Sequence, residues 1–145
     1  MRTIALILFV TSLTWLSPGQ EPASRFIMVD VFVDSGTAPL AAYQADISAT
    51  NGAVKIVGIE GGEPLAFRNA PYYDPAAMQG ERVVLGAFTT NAAAQLPQGS
   101  TRVASVHCLV SGGAKPVFNA RVTAAATVGG RPITVQINVK ERAKE

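Results

Sequence analysis

"PLAAYQADISATNGAVKIVGIEGG", Pro39 to Gly62, holds two apolar patterns of period two on either side of Asn51-Gly52. In its first half Ala41, Tyr43, Ala45, Ile47 and Ala49 alternate with Gln44, Asp46 and Ser48. Period two sends successive side chains to opposite faces of a sheet, so the odd-numbered set is expected inward and the polar set outward. Asn-Gly between two such runs supplies turn chemistry. The second half, "AVKIVGIEGG", is apolar at both phases and ends in Gly61-Gly62. It reads as a central strand.

The same rhythm extends in both directions. "RFIMVDVFVDSG" places Ile27, Val29, Val31 and Val33 on one face with Asp30 and Asp34 on the other. "ERVVLGAFTT" follows as a strand, and "TRVASVHCLVSGG" sets Ala104, Val106, Cys108 and Val110 against Val103, Ser105, His107 and Leu109. "FNARVTAAATVGGRPITVQINVK" reads as a hairpin, with Ala120, Val122, Ala124 and Ala126 before a Gly129-Gly130 turn and Ile133, Val135, Ile137 and Val139 after it. "DPAAMQG" and "NAAAQLPQG" are long enough for a helical turn each and too short for a stable helix. Seven short strands and no apolar stripe of helical period within residues 20–145 predict an all-β fold, a single antiparallel β-sandwich.

The N-terminus has a different character. Met1-Arg2 precedes the uncharged run "TIALILFVTSLTWL", which has the length of a signal-peptide apolar region and falls short of the roughly 20 residues that span a bilayer. Ser17 and Gly19 suit cleavage after Gly19, so residues 1–19 are expected to be an export signal and residues 20–145 one secreted or periplasmic domain. Losing Arg2 leaves eleven of the twelve basic residues against ten acidic ones, and takes away Trp15, the one tryptophan. That near-neutral balance provides no basic footprint for nucleic acid and none for an anionic membrane. Cys108 is the only cysteine, so no internal disulfide forms and the core alone must hold the domain.

The order and rhythm of these strands resembles the cohesin-like branch of the carbohydrate-binding-module β-sandwiches. The likeness rests on "VDVFVDSG", then "PLAAYQADISATNGAVKIVGIEGGE", "ERVVLGAFTT", and a Pro-Gln-Gly turn into "TRVASVHCLVSG". It covers most of residues 20–145 and implies a jelly-roll sandwich. It further implies a protein partner of dockerin type bound across a sheet face, or a polysaccharide as in relatives of the same superfamily.

Catalytic equipment is sparse. His107 and Cys108 are neighbours on one strand, so their side chains diverge where a Cys-His nucleophile needs them to converge. There is no Gly-x-Ser-x-Gly elbow and no set of His and Cys residues fit for zinc. No particular pair among the carboxylates is marked out for glycoside chemistry. Glu60, Glu63 and Asp74 share a glycine-containing connection of the kind that supplies oxygen ligands to calcium, yet without EF-hand spacing. Neither an enzymatic activity nor a cofactor is expected.

The binding candidates lie in "FRNAPYYDP", Phe67 to Pro75, a proline-stiffened excursion longer than a minimal hairpin needs. Phe67, Arg68, Tyr72, Tyr73 and Asp74 are the residues expected to meet a ligand. Pro71 and Pro75 restrict the backbone on either side of the tyrosine pair, so the rings are either presented rigidly or used to plug the end of the sandwich.

Overall fold

A computed structural model of the chain describes residues 23–143. The expected signal over residues 1–19 lies outside the described residues. Seven strands form where the alternation places them: β1 (Ser24–Asp34), β2 (Ala42–Thr50), β3 (Ala53–Gly61), β4 (Arg82–Phe88), β5 (Ser100–Ser111), β6 (Val117–Ala126) and β7 (Gln136–Glu141). The alanine-rich pieces supply only single 3₁₀ turns, at Pro75–Ala77 and Ala93–Gln95. The strands make two antiparallel sheets, β3-β5-β1-β7 and β4-β2-β6, with one apolar core between them. The fold is all-β and sandwich-like.

Odd-numbered strands lie in the first sheet and even-numbered strands in the second, so every connection crosses from one sheet to the other. One expected hairpin is thereby corrected, and one expected turn is placed between sheets. Asn51 and Gly52 do take positive φ, 59° and 144°, but they carry the chain from β2 across to β3 instead of closing a hairpin. Likewise β6 pairs with β2 and β7 with β1, so Gly129-Gly130 belongs to a crossover. Alternation decides which side chains face the core. It is silent on which strand lies alongside.

Inward faces follow the period closely. Val29, Val31 and Val33 of β1 are fully buried, and Tyr43, Ala45 and Ile47 of β2 nearly so. Tyr43 also donates its hydroxyl to the Val103 carbonyl at 3.2 Å, and burial pushes its pKa above the ordinary tyrosine value. Two bulges account for the faces that do not follow. In β3 the register against β5 shifts between Ile56 and Gly58, which leaves Val57 unpaired and turns Ile59 toward the core. Apolar residues at both phases therefore mark a change of phase, and β3 is an edge strand, where a central one was expected. In β6 a shift between Val122 and Ala124 turns Ala125 inward, so Ala124 and Ala126, expected in the core, lie on the outer face.

One expected solvent-facing carboxylate is also covered. Asp30 lies on the outer side of the four-stranded sheet yet is only 9% exposed. Arg142 donates to both of its oxygens, and the Ser105 hydroxyl donates to Oδ1 at 2.7 Å while accepting from Arg102 at 2.9 Å. Burial acts to raise the Asp30 pKa. The hydrogen bonds from Arg142 and Ser105, with the charges of Arg142 and Arg102, outweigh it and hold the carboxyl below its ordinary 3.8. Through this pairing Arg142, just after β7, is tied to β1.

Candidate functional site

The connection from β3 to β4 is built first by crowding. A Cβ added at Gly61 would lie 2.0 Å from the Arg68 carbonyl oxygen, and one at Gly62 would lie 2.3 Å from that of Arg102. Glycine is needed here because backbone approaches backbone. The Gly62 N–H donates to the Phe67 carbonyl at 2.6 Å, and the tight return drives the Phe67 ring between the sheets. There it is 3% exposed and meets Tyr43 edge-to-face, with centroids 5.3 Å apart and planes at 76°.

Phe67 is thus a core residue, a correction to its expected place at a ligand surface. Tyr73 is half-buried and packs against the same core. Arg68 and Asp74 are exposed, and Asp74 is committed to its own turn, its carboxylate accepting from the Ala76 N–H at 2.9 Å. Tyr72 alone of the five carries its ring outward over β4, at 74% exposure. Its backbone is anchored meanwhile: its N–H donates to the Gly86 carbonyl at 2.8 Å and its carbonyl accepts from the Gly86 N–H at 2.9 Å.

Opposite Tyr72 stands Phe88, the outward residue at the end of β4, 65% exposed. The two rings are stacked at 6.2 Å with planes 12° apart. They form one wall of an open trough of about 750 Å³ across the outer face of the three-stranded sheet. Ala42, Gly86, Ala124 and Ala126 keep its floor low, and Pro132 and Ile133 rise on the far side. Among its polar side chains Gln44 and Thr123 are bonded to each other, the Gln44 amide donating to the Thr123 hydroxyl at 2.9 Å. The lining is mostly apolar, and the Thr123 hydroxyl is engaged on both sides, donating in turn to the Gln44 backbone carbonyl at 3.3 Å.

Farther along the same face the chemistry becomes ionic. Arg82 donates from Nε and Nη2 to the two oxygens of Asp46 at 2.9 and 2.8 Å, and Arg121 donates to one of them at 3.2 Å. The Arg82 hydrogen bond, supported by Arg121, holds the Asp46 pKa below its ordinary value against a weaker opposing effect of burial. The same contact raises the pKa of Arg82.

Residues considered for catalysis or metal binding do not converge. Cys108 is buried, which pushes its thiol up to about 11, while His107 faces the outer side of the four-stranded sheet. The His107 ring lies over Gly58, with Nε2 3.1 Å from a Glu60 oxygen and off the line of a hydrogen bond. Glu60 thus lies beside His107 with its side chain largely exposed. No group of three or more His, Cys, Asp or Glu side chains positioned for a metal ion occurs among the described residues.

The trough was only half legible in the sequence. Phe88 follows Val83 and Leu85, both buried, and so falls in the outward phase of its strand, a signal that was available. The small floor contributed by β6 depended on the bulge and was not. Compared with family models, with curated proteins and with solved structures, the chain matches none.

Proposed function

We propose that this chain is an exported, noncatalytic binding module of cohesin-like type that holds a protein partner against the outer face of its three-stranded sheet. The observation that carries the reading is the pair Tyr72 and Phe88, two large rings mostly in solvent at the wall of an apolar trough. Exposed apolar surface gathered in one place is characteristic of protein-docking surfaces. Strands that alternate between the sheets support the jelly-roll connectivity that the resemblance implies.

A second reading, a polysaccharide ligand, draws on the exposed faces of the same two nearly parallel rings, since sugar rings stack on exposed aromatic faces. The bond between Gln44 and Thr123 favours the protein, because it takes up the Thr123 hydroxyl and one Gln44 N–H that a sugar would otherwise meet. The full chain, immobilised and exposed to the extracellular fraction of its source organism, is expected to retain one or a few stoichiometric proteins. The Tyr72→Ala/Phe88→Ala variant is expected to lose them. Equal retention by both proteins removes this reading, and ring-dependent retardation in a gel containing a soluble glycan transfers the site to the second one.

A further inference from the structure

The outer face of the three-stranded sheet has two ends of different chemistry, and the ionic end narrows the choice of partner. Arg82 and Arg121 are 62% and 73% exposed at their side chains, whereas the Asp46 they share is 13% exposed. Two guanidiniums on one carboxylate leave a single uncompensated positive charge. Glu81, the acid next to Arg82, is exposed just before β4 with its carbonyl accepting from the Ala49 N–H, while the Arg82 side-chain bonds go to Asp46. Arg121 uses one N–H toward Asp46 and keeps the rest of a planar fork turned to solvent, a geometry matched to carboxylates.

We infer, building on the reading of the trough as a protein-docking surface, that the partner offers an extended segment with an apolar side chain in the trough and an aspartate or glutamate on Arg82 and Arg121. Asp46 lies four residues from Ala42 along β2, about 14 Å at the rise of an antiparallel strand. An extended partner chain spans that distance in about four of its own residues. A basic residue at the same place meets like charge and is disfavoured. An isolated arginine pair, in a domain with eleven basic and ten acidic residues after residue 19, is not the basic stripe that a polyanion requires.

The test pans a phage-displayed library of random dodecapeptides on the full chain and, in parallel, on Arg121→Glu. Selected peptides are then synthesised and their Kd measured by fluorescence anisotropy in 50 and 300 mM NaCl, concentrations chosen as roughly dilute and roughly screening. The expected winners carry an aromatic or aliphatic residue and an acid about four positions apart, bind more weakly at the higher salt, and lose about three- to fivefold in affinity against Arg121→Ala. Panning on Arg121→Glu is expected to replace the acid with lysine or arginine. Winners that depend on Tyr72 and carry no acid at that spacing overturn this inference and leave the docking surface standing. No winners at all, or binding of polygalacturonate in their place, overturns both.

Discussion

The two flanks of the sandwich are closed to different degrees. On one flank, where β3 and β4 are the edge strands, the inward residues Val54, Ile56, Val83 and Leu85 are 6%, 2%, 1% and 0% exposed. On the other, where β6 and β7 are the edges, the inward residues Phe118, Ala120, Ile137 and Val139 are only half-buried. The composition of the strands does not explain this, since both flanks present mainly aliphatic side chains to one core. The difference lies in the connection between β3 and β4. It inserts Phe67, lays Tyr73 and Met78 over the core, and bonds to both edges: Gln79 and Gly80 bracket Ile56 of β3, each at 2.8 Å, and Tyr72 brackets Gly86 of β4. Among the described residues the far side of β6 carries one comparable bond within the strand, from the Ile133 N–H to the Ala125 carbonyl near its end. An unpaired edge invites further strands, and here the long connection occupies two edges at once. Its length is thereby explained structurally, before any ligand is invoked.

Removing the plug is the most damaging way to break this contrast. Phe67→Ala is expected to lower stability by about 3–5 kcal/mol, the range for deleting a buried aromatic ring, with the midpoint of a urea transition falling accordingly. A loss below about 1 kcal/mol would show that the closed flank does not depend on its plug. Glycine replacements compare the flanks at the backbone. Gly61→Ala forces a Cβ into the Arg68 carbonyl and is expected to cost about 3 kcal/mol or more, at the upper end of overpacking effects. Gly129→Ala, on the open flank, meets nothing within 4 Å and strains only a φ of 74°, for about 1–2 kcal/mol. Equal costs in thermal unfolding would contradict the proposed distinction between crowding and conformation.

Asp30 offers a test on the open flank, where it ties β1 to the end of β7. Its folded pKa lies below the ordinary value, so this stabilisation is present above about pH 4 and is lost as pH falls through the folded pKa. Asp30→Asn is expected to cost about 1–3 kcal/mol at pH 7, discounted for the partial exposure of Arg142, and to flatten the acid limb of the stability curve. An acid limb of unchanged slope in this variant, followed by denaturant unfolding from pH 3 to 7, rejects the assignment.

What was legible in advance follows the same physical division. Period two located the inward faces of β1 and β2 correctly because burial of one face is a local property of a strand. Pairing was not legible, since Asn51-Gly52 and Gly129-Gly130 have turn chemistry whether the next strand lies alongside or across the core. The bulges at Val57 and Thr123 were hidden for a related reason: one extra residue reverses the phase without changing the composition. In the candidate site the proline-bounded tyrosines marked the connection whose Tyr72 ring lies exposed at the trough, but a phenylalanine in an irregular connection carries no period to say whether it is plug or platform. Only the tertiary return at Gly61 and Gly62 sends Phe67 inward and leaves Tyr72 outside.

Tyr72 carries the smallest expected effect on stability and separates closure from presentation. Its backbone serves closure through two hydrogen bonds to Gly86, while its ring stacks on another exposed ring and buries little. Tyr72→Ala keeps the backbone bonds and is expected to change stability by no more than about 1 kcal/mol, the scale of an exposed aromatic pair. Tyr72→Pro removes the N–H that Gly86 accepts and is expected to cost about 1–3 kcal/mol and to speed amide exchange at the edge of β4. Comparable destabilisation by both variants would make the ring itself part of the closure, and its exposure would then need no partner to explain it. Divergence between them means that the closed flank is held by the backbone of the connection, leaving the ring available to whatever the trough receives.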